Sequence, residues 1–298
     1  MKIAVVGSLN MDMTVTSPRI PHKGETILGD SLSFFPGGKG ANQAYALGRL
    51  GAQAAMYGCV GQDDFGRQLI DNLDQAGVDA SQVKRLPDVK TGVALITVAE
   101  KDNTIVVVPG ANARVSPAYI DSVADRLMQS DLVMMQLEIP LDTVVHVAEL
   151  CAVAGIPVLL NPAPAQLLPP RLLGQITWLT PNEHEAALLF RHQGLLDDLL
   201  LAQRGKLVVT LGKNGSAMAD DSGRIIRTPA SPAQVVDTTG AGDTFNAALA
   251  FALIRGDDPD QALRFANAAA ALSTEKMGAQ AGMPTLDEVR QRLDGQAS

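Results

Sequence analysis

The stretch VVDTTGAGDTFNAALAFAL, residues 235–253, carries the residue types and spacing best suited to chemistry. Gly240 and Gly242 flank Ala241. Asp243 follows directly, ahead of apolar residues at helical spacing (Phe245, Ala248, Leu249, Ala252, Leu253). This reads as a strand end, a tight turn and a helix. Glycines let the backbone turn sharply and approach a ligand. A helix N-terminus offers unpaired N–H groups and the positive end of a dipole, which suits a phosphate. Asp243 adds a carboxylate base beside that cradle, and the combination points to phosphoryl transfer. A purely structural reading explains GAGD alone equally well, because Asp is favourable in any first helical turn and Gly often precedes a helix.

Other polar groups gather at expected strand ends: Asn10 and Asp12, Glu138, Asn161, then Asn182, Glu183 and Glu185, and Asp237 to Asp243. Each alone is more simply a helix cap or a solvated loop residue. Together they fall on one edge of one sheet, where open α/β sheets bind ligands. In PGGKGAN, Gly37, Gly38 and Gly40 bring backbone close to a ligand, and Lys39 and Asn42 can hydrogen-bond sugar hydroxyls; a flexible surface turn fits the spacing as well. The segment is not a Walker A loop, and no G-x-G-x-x-G follows the first strand, which disfavours a dinucleotide site. TLGKNG (210–215) either passes under a nucleotide or turns a hairpin. The four histidines (His22, His146, His184, His192) have no ligand spacing, and Cys59 and Cys151 sit unclustered in apolar contexts, as buried thiols do.

The elements that must position these groups follow from hydrophobic periodicity. Ile3 to Val6 reads as a buried parallel strand. Residues 13–32 read as an antiparallel hairpin, with β-type residues Val15, Thr16 and 26–28 broken by Pro18, Pro21, Gly24 and Gly29. Residues 91–98 and 104–108, turned at Lys101-Asp102-Asn103, form a second pair, and the two hairpins make a small four-stranded lid. Strands are expected at 54–60, 132–136, 157–161, 176–180 and 206–212. They alternate with a helix that FPGGKGAN (35–42) leads into and that runs to about 50, with helices at 64–76, 117–129 and 142–154, and with one from 182. A small hairpin (216–219, 224–228) precedes helices at 241–256 and 259–275, a short one from Thr285, and a frayed tail at 295–298. Alternating strands and helices indicate βαβ units and a parallel sheet covered on both faces. The 298 residues, 46% hydrophobic and 19% charged, allow one large α/β domain or a large domain with a small appendage. The net charge of −8 argues against a nucleic-acid or anionic-membrane partner. No run approaches the roughly 20 apolar residues of a membrane helix, so the expected location is cytoplasmic.

Together GSLNMD (7–12), GGKGANQA (37–44), MQLEIP (135–140), NPAPA (161–165), TPNEHE (180–185), TLGKNG (210–215), DTTGAGDTF (237–245) and KMGAQAGMP (276–284) resemble the phosphofructokinase-B, or ribokinase-like, sugar kinases, in collinear order over nearly the whole chain. The resemblance implies a single α/β domain over 1–298: a three-layer α/β/α sandwich with a mostly parallel central sheet, and a β-sheet lid from about 12–34 and 90–109. The lid is often a dimer clasp, so a homodimer is expected. It implies phosphorylation of a sugar hydroxyl with ATP and Mg²⁺, with Asp243 as catalytic base and Gly240, Ala241 and Gly242 as anion hole. Asn10, Asp12, Gly38, Lys39, Asn42 and Glu138 match sugar contacts. Asn182, Thr210, Gly212, Gly215 and Asn267 match nucleotide contacts, and Glu185 is tied indirectly to Mg²⁺. Asp237 and Thr239, with carbonyls of Ser273, Lys276 and Gly278, match a K⁺ site. Gly282 stands where relatives place a serine, which predicts weaker cation activation or a water in its place. Met11 replaces a small residue and either points away from the pocket or narrows it, and residues 190–206 are short. Asn10 and Asp12 side by side suit a furanose. The expected substrate is D-ribose at its 5-hydroxyl, with 2-deoxyribose, fructose or a nucleoside as alternatives, and a silent sugar- or nucleotide-binding regulator as the rival class.

Overall fold

The computed structural model describes residues 1–100 and 102–296. The chain runs β1 (Lys2–Val6), β2 (Asn10–Thr16), β3 (Ser31–Gly37), α1 (Lys39–Arg49), β4 (Gln53–Tyr57), β5 (Cys59–Gly61), α2 (Asp64–Gln75), β6 (Lys84–Leu86), β7 (Gly92–Ala99) and β8 (Asp102–Val108). It continues with α3 (Pro117–Leu127), β9 (Leu132–Met135), α4 (Leu141–Ala154), β10 (Val158–Leu160), α5 (Pro170–Gln175), β11 (Trp178–Leu179), α6 (Glu183–Phe190), α7 (Leu196–Ala202) and β12 (Val208–Thr210). It ends with β13 (Ser216–Ala219), β14 (Ile225–Thr228), α8 (Ala241–Arg255), α9 (Pro259–Ser273) and α10 (Leu286–Gln296).

The central sheet is parallel in the order β4-β1-β9-β10-β11. Parallel bridges Leu179–Leu207 and Asn182–Thr210 carry it on to β12, which pairs antiparallel with β13, itself antiparallel to β14. Alternation along β1 shows why both faces are covered. Ile3 and Val5 join a core with residues of α1, α2, α8 and α9, whereas Ala4 and Val6 join a second core with residues of α3, α4 and α6. A strand buried on both sides reads as the continuous apolar run seen in the sequence. Among the described residues, no helix is long and apolar enough to cross a membrane.

The separate sheet has the order β3-β2-β7-β8, with β2–β7 parallel and the outer pairs antiparallel. Its second strand differs from expectation: residues 26–28 are in a loop, and β2 pairs with 31–37 instead. Pro18 and Pro21 cannot donate to a ladder, and an Arg19–Glu25 ion pair with the His22 N–H on Glu25 closes that loop on itself. Lys101, in the expected second turn, lies outside the described residues, as do the last two residues of the tail; positions 295 and 296 belong to α10.

The expected strand 54–60 breaks at Gly58, where any Cβ would meet the Leu9 side chain at 2.6 Å and the Gly7 carbonyl at 2.7 Å, and its end pairs with β6. No strand precedes α8: Val235 and Val236 are exposed, and the amides of Val236 and Asp237 both donate to the Thr274 carbonyl rather than to a ladder. Residues 190–206 hold a helix end, with Arg191 at φ 48, and then α7, which periodicity does not reveal because it is only 7 residues long. Met11 points into the core, away from the site.

Candidate active site

The site lies at the C-terminal edge of the central sheet, where α8 begins. Gly240 is its N-cap, at φ 78, with no side-chain cap. Helices α2, α3, α6 and α9 are capped by Asp63, Ser116, Asn182 and Asp258. At α8 the Ala241 amide donates to the Thr238 carbonyl at 3.2 Å and the Thr244 amide to Gly240 at 2.9 Å, while among the described residues the Gly242 and Asp243 amides have no acceptor. Asp243, in this first turn, is 6% exposed. Its Oδ2 accepts from Asn42 Nδ2 at 2.9 Å and its Oδ1 from Gln43 Nε2 at 3.1 Å. Burial pushes its carboxyl above the usual range; Lys39 and the two amides oppose that and Glu138 adds to it.

On the opposite wall, α1 starts at Gly38, φ 88, also without a side-chain cap. Here the open amides are taken by the protein itself. Lys39 N–H donates to Glu138 Oε2 (3.1 Å), Gly40 N–H to Ser8 Oγ (3.3 Å) and Ala41 N–H to the Ser8 carbonyl (2.8 Å), and Ser8 Oγ donates to Glu138 Oε2 (2.5 Å). Burial pulls the Lys39 ammonium down, but Asp243, Glu138, Glu185 and Asp12 outweigh it and hold the charge on. Burial, with Glu138 and Asp243, pushes Asp12 up to about 7 against the pull of Lys39. Asn10, 3% exposed, accepts at Oδ1 from Asn112 Nδ2 (2.7 Å), and Asn112 also exchanges hydrogen bonds with the Leu9 backbone.

A cleft of about 250 Å³ joins these walls and gathers Lys39, Asn182, Glu185, Thr210, Gly240, Gly242 and Asp243 with Asn161, Thr180 and Asn246. Asn182 and Glu185 form a capping box, Asn182 Oδ1 accepting from Glu185 N–H (2.9 Å) and Glu185 Oε2 from Asn182 N–H (2.8 Å). Gly212 and Gly215 form the turn after β12, at φ 55 and 92. Asn267 lies elsewhere: it lines a larger crevice of about 800 Å³ with Thr228, Pro229 and Phe265, and its Nδ2 donates to Ser216 Oγ and to the Thr228 and Pro229 carbonyls.

Of the K⁺ candidates, Thr239 and Gly278 meet at Asp237. Its Oδ1 accepts from Thr239 N–H (2.9 Å) and Oγ1 (2.7 Å), and its Oδ2 from Gly278 N–H (2.8 Å). Burial pushes this carboxyl up, but those bonds outweigh it and hold it below its ordinary value. The Ser273 side chain is turned back on the Ala270 carbonyl at 2.7 Å, and Lys276 is exposed. Gly282 packs on the Ser273 carbonyl, where a Cβ would sit 2.1 Å away, so this backbone admits no serine there.

Sequence reasoning did not single out Ser8, Gln43, Asn112, Gln136, Thr180, Asn246 or Gln280. Gln43 alone left a signal: with Asn42 it is a polar pair among buried alanines of α1. Asn246 is tied locally, donating to the Gly242 carbonyl at 2.8 Å, and the others by partners distant in sequence.

This geometry coincides with a known family. The pfkB family of carbohydrate kinases matches residues 1–286. The ribokinase of Bacillus subtilis (strain 168) is 47% identical over 291 residues, covering 98% of this chain and 99% of its own. The deoxyribokinase of Salmonella typhimurium is 34% identical over 304 residues, covering 98% and 99%. The structure of Arabidopsis thaliana ribokinase complexed with ribose and ATP has a TM-score of 0.90 at 34% identity, covering 98% of each chain. The chain belongs to the pfkB family of carbohydrate kinases.

Proposed function

We propose that this kinase transfers the γ-phosphoryl group of ATP to the 5-hydroxyl of D-ribose, giving ribose 5-phosphate and ADP. The observation that carries the reading is the start of α8: a buried carboxylate gripped by two amides, beside the Gly242 and Asp243 N–H groups, which have no acceptor among the described residues. Asp243 orients the sugar hydroxyl and takes its proton as the new oxygen–phosphorus bond forms and the bond to the ADP oxygen breaks. The open Gly242 and Asp243 amides stabilise the charge spreading over the phosphoryl oxygens. Asn10, Asp12, Gly38, Lys39, Asn42 and Glu138 receive the sugar. Asn182, Thr210, Gly212 and Gly215 receive the phosphates, and Asn267, in the larger crevice, supports the nucleotide. Mg²⁺ neutralises phosphate charge when bound. Among the described residues, no cluster of three or more acidic, His or Cys side chains could hold a metal, which fits an ion that arrives with the phosphates and is oriented indirectly by Glu185.

Asp237 and Thr239, with the Ser273, Lys276 and Gly278 carbonyls, would hold K⁺. The ionised Asp237 suits a monovalent cation, while Gly282 supplies no oxygen from its side. The four-stranded sheet closes over the sugar as a lid and clasps a second copy through its exposed apolar residues Leu32, Leu95, Ile105 and Val107. A monomer in sedimentation at micromolar concentration would remove the clasp. The enzyme works in the cytoplasm, where ATP is held and thiols such as Cys59 and Cys151 stay reduced.

The higher identity to a ribokinase than to a deoxyribokinase favours ribose. Only 4% of residues are aromatic, which disfavours stacking on a nucleoside base. The test is ADP release with Mg²⁺–ATP across ribose, 2-deoxyribose, fructose, ribulose and nucleosides, with K⁺ or Na⁺. Ribose should give the highest kcat/KM, with modest K⁺ activation. Preference for another acceptor would reassign the substrate, no turnover with any would favour the silent binder, and no response to K⁺ would delete the cation site.

A further inference from the structure

We propose that Gln280 and Gln136, which lie behind the cleft, are positioning residues that set the two amides gripping Asp243. An amide has a donor end and an acceptor end, so Asn42 and Gln43 hold the carboxylate only with their NH₂ groups turned toward it. In each, the oxygen is occupied by a donor from behind. Asn72 Nδ2, on α2, donates to Gln280 Oε1 at 2.6 Å; Gln280 Nε2 donates to Asn42 Oδ1 at 2.9 Å; and Asn42 Nδ2 donates to Asp243 Oδ2 at 2.9 Å. On the other side Gln136 Nε2 donates to Gln43 Oε1 at 2.6 Å, and Gln43 Nε2 donates to Asp243 Oδ1 at 3.1 Å and Asn161 Oδ1 at 3.3 Å.

Each amide in the two chains donates to the next one nearer the carboxylate, and Gln43 has a further N–H that goes to Asn161. Gln136 is fully buried and Gln280 is 6% exposed, in low-dielectric surroundings where such chains strengthen one another. Gln280 sits two residues from Gly278, whose amide holds Asp237, so the loop between α9 and α10 reaches both carboxylates.

The inference rests on Asp243 being the base proposed above. Lys39 from α1, Glu138 beyond β9 and Asp12 from β2 are the charged groups facing it. Weakening an amide donor leaves burial and Glu138 less opposed, so the base holds its proton to higher pH.

The test uses Gln280→Met and Gln136→Met, which keep bulk and lose the N–H, and Gln280→Glu, which keeps shape but cannot donate to Asn42. Kcat and both KM values are measured across the acidic limb of the pH profile. The expected result is a drop in kcat of about tenfold, a limb displaced to higher pH, and KM for ATP unchanged within about twofold. Asn72→Leu, which leaves Gln280 in place, should give a smaller loss in the same direction and serves if the others fail to fold. Wild-type kcat, or a lower kcat with the limb unmoved, overturns the positioning role. The two failures are distinguishable: turnover by Asp243→Asn removes the base itself, whereas an inactive Asp243→Asn beside wild-type-like glutamine variants removes only the relay.

Discussion

Helices α1 and α8 begin alike and end up with opposite uses. Each opens on a glycine in the left-handed region, Gly38 at φ 88 and Gly240 at φ 78, and neither has a side-chain cap. At α1 the protein supplies the missing acceptors itself: Glu138 takes the Lys39 amide, and Ser8 takes those of Gly40 and Ala41. At α8 the Gly242 and Asp243 amides stay open beside the cleft, among the described residues. A helix N-terminus is a ready anion site only while its N–H groups are unspent. Thus GGKG is a joint closed on an internal carboxylate, and GAGD is a joint left open, as the proposed phosphate site requires, although the two motifs look equivalent in one dimension.

The largest expected effect tests the open end. Asp243→Asn should lower kcat on the order of 10³-fold, within the span of a positioned base, while ATP binding stays near wild type. Stability should hold or rise, because burial disfavours the charge that the substitution removes. Substantial kcat in this variant would leave α8 as a phosphate cradle with no base.

Next comes a contrast between glycines. A Cβ on Gly242 meets nothing within 4 Å, and its φ is not in the positive range, so Gly242→Ala should keep the melting temperature and lower kcat/KM for ATP by about tenfold, by crowding a phosphate at the open amides. A Cβ on Gly38 would sit 2.7 Å from the Asn10 nitrogen, at positive φ. Gly38→Ala should therefore destabilise the fold by about 1–3 kcal/mol. Thermal melts beside steady-state kinetics separate the two; a destabilised Gly242→Ala would make α8 as closed a joint as α1.

The layered sheet and most helices were legible because their signals are local and periodic: β1 is apolar on both faces, and α2 and α3 carry their caps in sequence. The proposed base, Asp243, stood out in the sequence because it follows its glycines directly. What escaped depends on distant partners. Asn112 orients Asn10 from 102 positions away, Gln136 reaches Gln43 across 93, and Gln280 reaches Asn42 across 238. No periodicity marks an amide whose role is set by one hydrogen bond. The absent strand before α8 errs the other way: Val235 and Val236 have β-type side chains but no free ladder to join, so tertiary context overrides propensity.

The smallest effect probes the closed end, where Glu138 holds the start of α1 and, on the proposed function, also faces the sugar. Burial, Glu138 and Asp243 raise Asp12 to about 7, so in the free enzyme Asp12 carries a proton below that pH and is a carboxylate above it. Sugar hydroxyls donate best to the carboxylate. KM for ribose should therefore fall as pH rises through about 7, with KM for ATP flat across the same range. Glu138→Gln keeps an oxygen for the Lys39 amide but removes a charge that holds the Asp12 proton on, so the transition should move to lower pH. At neutral pH, where about half of Asp12 is protonated, that removes only about a twofold penalty on KM, offset by any hydrogen bond that the sugar donates to the Glu138 carboxylate. The position of the transition, rather than KM itself, is thus the decisive readout. A transition that stays in place would mean that Glu138 acts on α1 alone, and that the two walls of the pocket are electrostatically independent.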